Sequence, residues 1–301
     1  MKGESAALMT AILWTITAIS FEYAGKRIGS RILNFLRLLF GAFFLGIYGL
    51  IVHGNPVPFD ASLSAWLWLG ASGLVGLAFG DLLLFQSFID LGARLTMLIY
   101  ALAPACAAVL GLFALGERLS GKAIGGMCLT LAGIAIAVLG RPAPANEAAQ
   151  GNTSDSAKRR ARGIIFAFAA TFCQAAGLIM SKIGAPSLDA FSGTQIRVII
   201  GALAFGIILA ITRSGGGIME SLRNRKALVS LVGGSFFGPF LGVSLSLAAI
   251  QGASAGVASS IMSITPVLII LPSVAIFHER VTLLETIGAF VAVGGTALLF
   301  L

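Results

Sequence analysis

Charge is what this chain has least of. Only 11% of its 301 residues are Asp, Glu, Lys or Arg, where a soluble domain carries roughly 25%. A chain this poor in charge cannot clothe a water-facing surface, so a soluble globular fold is excluded. Histidine occurs twice, as His53 and His278, which leaves little for acid–base or metal chemistry. Cysteine occurs three times, and Cys106, Cys128 and Cys173 each sit inside an apolar run without paired spacing. Neither a disulfide framework nor a metal site follows from them; they read as small buried hydrophobes. The P-loop pattern G-x-x-x-x-G-K-[ST] is missing, so direct use of ATP is not expected. No cofactor or metal is implied, and no enzymatic activity.

What is present is hydrocarbon. Hydrophobic residues make up 57% of the chain and the mean hydropathy is +0.98. A helix needs about 20 apolar residues to cross a bilayer. Ten such runs are found, at 5–24, 33–53, 64–88, 95–115, 120–140, 163–181, 190–212, 227–250, 255–277 and 282–301. The first lacks a small-residue cleavage site and is read as a retained span. "RPAPANEAAQGNTSDSAKRRAR" (141–162) is too polar to pack and reads as a flexible linker between halves 1–140 and 163–301. The net charge of +8 is gathered in short clusters between spans, a distribution that speaks for membrane orientation and not for nucleic acid.

The halves repeat each other. A shift of 162 carries Gly76, Gly80, Pro104, Glu117, Arg118, Gly126 and Gly133 onto Gly238, Gly242, Pro266, Glu279, Arg280, Gly288 and Gly295. "RLLFGAFFLG" (37–46) likewise matches "RVIIGALAFG" (197–206). Five is odd, so the second five-helix unit is expected to enter the membrane upside down. Counted by connection, 14 Lys/Arg fall on one side and 4 on the other. The positive-inside bias puts the 14 in the cytoplasm and both termini outside, as in a multi-pass protein of a bacterial inner membrane.

Two short motifs invite an enzymatic reading. Gly252-Ala253-Ser254-Ala255-Gly256 spells G-x-S-x-G, and "GASG" (70–73) matches the G-x-S-G of intramembrane serine proteases. Each needs a histidine delivered to the serine, and both histidines lie at span edges. Intramembrane hydrolysis is therefore the lesser alternative, beside a passive channel or a receptor.

The duplicated prolines support another reading. Pro104 and Pro266 lie inside matched spans, where each removes a backbone hydrogen bond. Polar groups precede them: Thr96 and Tyr100 in one copy, Ser254, Ser259, Ser260, Ser263 and Thr265 in the other. Broken helices at corresponding positions of two repeats mark a central substrate site in secondary transporters. Plain helix–helix bonding explains any single serine equally well. Arg37 and Arg197 sit one to two turns inside apolar runs, either lining the site or snorkelling to the interface. Asp81 lies deeper, as a proton carrier, an amine counter-ion or a helix-fixing bond. Gln86, Gln174 and Gln195 are uncharged candidates for the cavity. Trp66 and Trp68 read as interfacial anchors, whereas Trp14 is deep enough to face a substrate. Glu117-Arg118 and Glu279-Arg280, at span ends, are expected to pair locally. Gly76-x-x-x-Gly80, Gly238-x-x-x-Gly242 and Gly121-x-x-x-Gly125 are expected to let backbones approach, with Gly76, Gly80, Gly238, Gly242 and both prolines as hinge or packing points.

A central proline followed by "GER" (116–118) or "HER" (278–280) and a glycine-bearing apolar helix resembles the EamA domain of the drug/metabolite transporter superfamily. "ALMTAILWTITAISFEYAGK" (7–26) and "RLLFGA" look like that domain's first two helices, and the resemblance covers the chain twice over. It departs where His278 stands for Gly116 and where Val243 stands opposite Asp81. The resemblance implies an all-α integral membrane protein of ten transmembrane helices in two inverted five-helix repeats. It also implies alternating-access transport of small metabolites such as amino acids, often as export. The expected partners are a small-molecule substrate and the lipid bilayer, with either protons as coupling ion or the substrate gradient itself as the driving force, and a monomer suffices.

Overall fold

The apolar runs form helices almost where composition places them. The computed structural model describes residues 3–115, 121–140, 153–184, 188–252, 258, 261–277 and 281–298. The helices are α1 (Gly3–Ile28), α2 (Ser30–His53), α3 (Leu63–Leu91), α4 (Ala93–Tyr100), α5 (Ala103–Leu115) and α6 (Gly121–Leu139). The second half contributes α7 (Thr153–Gly184), α8 (Ala190–Ile211), the short α9 (Ile218–Arg223) and α10, a single rod of Arg225–Ser235, Phe236–Gly242 and Val243–Gly252. It ends with α11 (Thr265–Leu268), α12 (Ile270–Phe277) and α13 (Leu283–Leu298). No strand occurs among the described residues. Six helices, α1, α2, α3, α7, α8 and α10, are long and apolar enough to cross a membrane. Four shorter apolar helices accompany them, at Ala93–Ala107, Ile124–Leu139, Thr265–Phe277 and Leu283–Leu298.

Helix starts follow local chemistry. Ser62, Asp189 and Asn224 accept the amide protons of Ala65, Ser192 and Ala227 and so cap α3, α8 and α10. Gly29 and Gly92 take φ of 79° and 87°, a region open to glycine, and turn α1 into α2 and α3 into α4 through one residue each.

The polarity of the fold is inside out. Phe43, Ile51, Leu67, Phe113, Leu139 and Ile207 are exposed, whereas Glu22, Asn34, Arg37, Asp81, Arg94, Arg197 and Glu285 are buried. An apolar exterior over a largely apolar core that also holds charged groups belongs to a protein solvated by lipid. This is a multi-pass integral membrane protein.

The duplication is visible in detail. Gly73–Gly80 in α3 and Phe236–Gly242 in α10 are both π-helical, and a shift of 162 superposes their ends at Gly80 and Gly242. In each, the next residue, Asp81 or Val243, donates its amide to a carbonyl five residues back, Gly76 or Gly238. The helices ahead of the prolines break in step. Leu102 bonds Ile99 at 3.1 Å and Ile264 bonds Ile261 at 3.2 Å, after which Cys106 and Leu268 resume the ladder on Leu102 and Ile264. Pro104 and Pro266 thus sit in the first turn of a restarted helix, where no amide is missed.

The halves interlock. The glycines of α3 pack on α7: a Cβ at Gly80 would lie 3.0 Å from the Cβ of Cys173, and Gly76 faces Gly177. Their counterparts in α10 pack on α1, where Cβ atoms at Gly238 and Gly242 would meet Thr17 at 2.6 Å and Trp14 at 3.0 Å. The pair α6 and α13 is joined most closely. A Cβ at Gly133 would lie 2.4 Å from the Ala292 nitrogen and 2.7 Å from the Gly288 oxygen. One at Gly295 would lie 2.4 Å from the Thr130 nitrogen and 2.8 Å from the Gly126 oxygen. Contacts run from Gly126 with Gly295 to Gly140 with Leu284, so these two helices are antiparallel.

Two expectations need correction. Residues 153–162, expected as the end of a flexible linker, belong to α7. Their basic side chains are anchored: Arg159 donates to the Ile89 carbonyl, Arg160 to the Val138 carbonyl and Arg162 to Asp90, at 2.6–2.9 Å. Cations on the carbonyl ends of α3 and α6 hold the polar turns in register with the helix. Gly121 and Gly125, expected to pack, have no atom within 4 Å of their would-be Cβ positions.

Candidate functional site

The breaks before Pro104 and Pro266 open onto a hollow in the middle of the bundle. It consists of two adjoining cavities of about 90 and 70 Å³. Each is well above the roughly 10–15 Å³ that a cavity needs to hold a single water. Trp14, Met97, Tyr100, Gln174 and Val243 line both. The larger adds Arg197, Ser246, Ser263, Thr265 and the two prolines. The smaller adds Thr17, Arg37, Asp81, Phe21, Phe85, Phe88 and Gly238. Asp81 and Val243 enter the lining directly after the two π-helical turns, a distortion frequent at functional sites.

The floor of the smaller cavity is a satisfied ionic cluster. Arg37, 3% exposed, donates to the carboxylate of Asp81. It also donates to Oδ1 of Asn34 at 2.9 Å and to the Leu77 carbonyl at 3.0 Å. Its guanidinium lies 4.8 Å from the centre of the Phe85 ring, and Asn34 in turn donates to the Ala78 carbonyl at 2.9 Å. A buried charge with this many partners is fixed in place.

Arg197 is the repeat counterpart of Arg37 and is held differently. It is 5% exposed, its Nε has no hydrogen-bond partner, and no carboxylate pairs with it among the described residues. Gln174, on the same wall, has a buried Oε1 that is likewise without a partner. Both residues line the larger cavity, and each keeps one buried polar atom without a hydrogen-bond partner, which is unusual for a buried polar group.

Of the residues singled out from sequence, the structure gathers Trp14, Arg37, Asp81, Tyr100, Gln174, Arg197, Ser263, Pro104, Pro266 and Gly238 around this hollow. Gly76, Gly80 and Gly242 form its close-packed surround. Gln86 does not reach it: its carboxamide accepts from Ser30 at 2.7 Å and donates to Asp90 at 3.2 Å, at the far end of α3. Gln195 is also elsewhere, donating to the Pro56 carbonyl. Ser254, Ser259, Ser260, Glu117-Arg118, Glu279-Arg280 and His278 lie outside the described residues. Ser72 of the "GASG" run donates to the Gly177 carbonyl at 2.6 Å and meets Ser181 at 2.7 Å, binding α3 to α7. The described histidine, His53, stands instead 3.7 Å from Asp189.

Sequence reasoning passed over three buried groups. Glu22 binds Lys26 and accepts the Ala93 amide at 2.7 Å, a carboxylate at the start of α4. Arg94 pairs with Glu285 at 3.2 Å, joining α4 to α13. Asn34 orients Arg37. The signal was there for Glu22, a lone charge ahead of Lys26 in an apolar run; nothing in sequence marks Asn34.

Comparison with known proteins places the chain. No curated protein matches it. A solved crystal structure with 18% identity covers 98% of this chain, and the match spans 95% of that one, with a TM-score of 0.65; the fold is therefore shared. The model of the EamA-like transporter family matches twice, at residues 1–139 and 161–301, and the chain belongs to that family.

Proposed function

We propose that the protein is a secondary transporter that exports small metabolites, amino acids or related compounds, by alternating access around the central hollow. The observation that carries this reading is the pair of helix breaks at Leu102 and Ile264, which sit at repeat-equivalent positions and open onto one shared cavity. Inverted repeats are supported by α6 and α13, whose equivalent glycines exchange equivalent contacts in antiparallel array, as a two-fold axis between copies requires. With ten alternating spans, the larger cavity runs toward the face poor in basic residues. Phe21, Phe85 and Phe88 close the other end, Phe21 meeting Phe85 edge-on at 5.1 Å between ring centres. Asp81, the carboxylate at the cavity floor, is the proposed proton-coupling group.

The test is counterflow in proteoliposomes preloaded with unlabelled amino acids. Saturable accumulation of labelled substrate, with a pH gradient adding to it, is expected. Uncoupled conduction at channel rates, or no exchange for any amino acid or related metabolite, would sink the proposal.

A further inference from the structure

We infer that the transported solute is a small organic monoanion, bound through a carboxylate to Arg197, with an apolar or aromatic body lying along Trp14, Met97 and Tyr100. This deepens the transport reading and rests on it.

The argument begins with charge. Among the described residues, three charged side chains line the hollow: Arg37, Asp81 and Arg197. Arg37 and Asp81 cancel each other in a direct pair, which leaves one positive charge. That charge is 95% removed from solvent and not fully bonded. Asp81 is near enough to act on Arg197 as well, but makes its salt bridge with Arg37 alone. An ionised group buried without an ion pair of its own weakens a fold, and a binding site is a setting in which such a cost is retained. One excess cation matches one anionic oxygen pair; a phosphate dianion would leave a negative charge buried in its place. A planar guanidinium with open donors suits a carboxylate, which it grips with two parallel bonds.

The rest of the wall sets the body of the ligand. Trp14, Met97, Tyr100, Met262 and Leu178 offer apolar and aromatic surface. Gln174 lines the same wall and keeps a buried Oε1 without a hydrogen-bond partner, an acceptor that a hydroxyl near the carboxylate would satisfy. Gly76 keeps this corner open. A Cβ there would stand 3.2 Å from Gln174 Oε1, a tight contact, and 3.7 Å from an Arg197 terminal nitrogen, an ordinary one, so a side chain would press first on Gln174.

The experiment compares phenylacetate, phenylacetamide, phenethylamine and phenyl phosphate as ligands of the purified full chain in detergent, by thermal shift and titration calorimetry. Phenylacetate is expected to raise the melting temperature of the wild type, and the neutral, cationic and dianionic analogues to bind at least tenfold more weakly. Arg197→Gln should lose the discrimination between acid and amide while melting no lower than the wild type without ligand, because it removes a buried charge that has no salt bridge of its own. Arg197→Lys, which keeps the charge and loses the paired geometry, should bind phenylacetate at an intermediate level. Equal binding of acid and amide, a preference for the amine or the phosphate, or unchanged phenylacetate binding in Arg197→Gln overturns the monoanion assignment. Those results leave transport itself standing. Transport fails separately, if phenylacetate binds as described yet drives no counterflow in proteoliposomes.

Discussion

Arg37 and Arg197 descend from one ancestral position and now do opposite things. The difference is Asp81. In the first copy a carboxylate follows the π-helical turn and neutralises Arg37; in the second, Val243 stands there and leaves Arg197 open. Removing one member of a buried ion pair strands the other, at about 3–5 kcal/mol. Asp81→Asn should therefore lower thermal stability in detergent by about that much and abolish the pH dependence of transport. The double variant Arg37→Gln/Asp81→Asn should recover most of the stability and none of the coupling. Full additivity of the two losses in a double-mutant cycle would show that the pair does not act as a unit. Sequence alone exposed Asp81 and both arginines as expensive residues in apolar runs. It could not say which arginine Asp81 meets, because the partner is 44 residues away and depends on how α2 and α3 are rotated about their axes. Gln86 was misplaced because it lies near the end of α3, where Ser30 and Asp90 take up its carboxamide, a pairing that again depends on how separate helices meet.

At the scale of the element, glycine means two things in this fold. Where repeat-equivalent helices cross at backbone distance, a side chain has nowhere to go. A Cβ at Gly288 would lie 2.6–2.7 Å from the Gly133 oxygen and from Ala137. Gly288→Leu should force α6 and α13 apart and destabilise by about 1–3 kcal/mol or more, read as a lower melting temperature and lost Arg94–Glu285 coupling. Gly125→Ala, on an open face, should be neutral or stabilising by up to about 1 kcal/mol. The G-x-x-x-G spacing that singled out Gly121 and Gly125 is the same in both settings, so spacing alone cannot separate a packed face from a free one. Prolines carried more information, since a mid-span proline has a local consequence, and the breaks at Leu102 and Ile264 lie where Pro104 and Pro266 put them. The start of α7 went the other way. Residues 153–162 are polar enough to read as linker, and what makes them helical is distant: the Ile89 and Val138 carbonyls and Asp90. Asp90→Asn should leave the fold intact at a cost of about 1–3 kcal/mol, because the buried Asp90 side chain holds the half-exposed Arg159 and Arg162 through charge-assisted bonds. It should nonetheless speed amide hydrogen exchange across 153–162; unchanged exchange there would mean the turn is helical without its anchor.

Across the whole molecule, the duplication does not produce two domains side by side. The first helix of each copy packs against the third helix of the other, α1 on α10 and α7 on α3, and the last helices close on each other as α6 and α13. Each half therefore leaves its most intimate glycine surfaces bare when alone, in a solvent where association rests on close packing more than on hydrophobic exclusion. A chain ending at residue 150 should insert but remain loosely folded and be degraded. Co-expression with residues 151–301 should restore a stable complex, since the cut falls outside every described helix and severs none of the interlocking contacts. The readout is co-purification of the two fragments with a melting temperature near that of the intact chain, together with phenylacetate binding. If either fragment alone melts cooperatively, the halves are autonomous, and the cavity between them is then a joint between two finished domains; alternating access would have to arise from their hinging, without the exchange of helix–helix contacts that an interlocked pair demands.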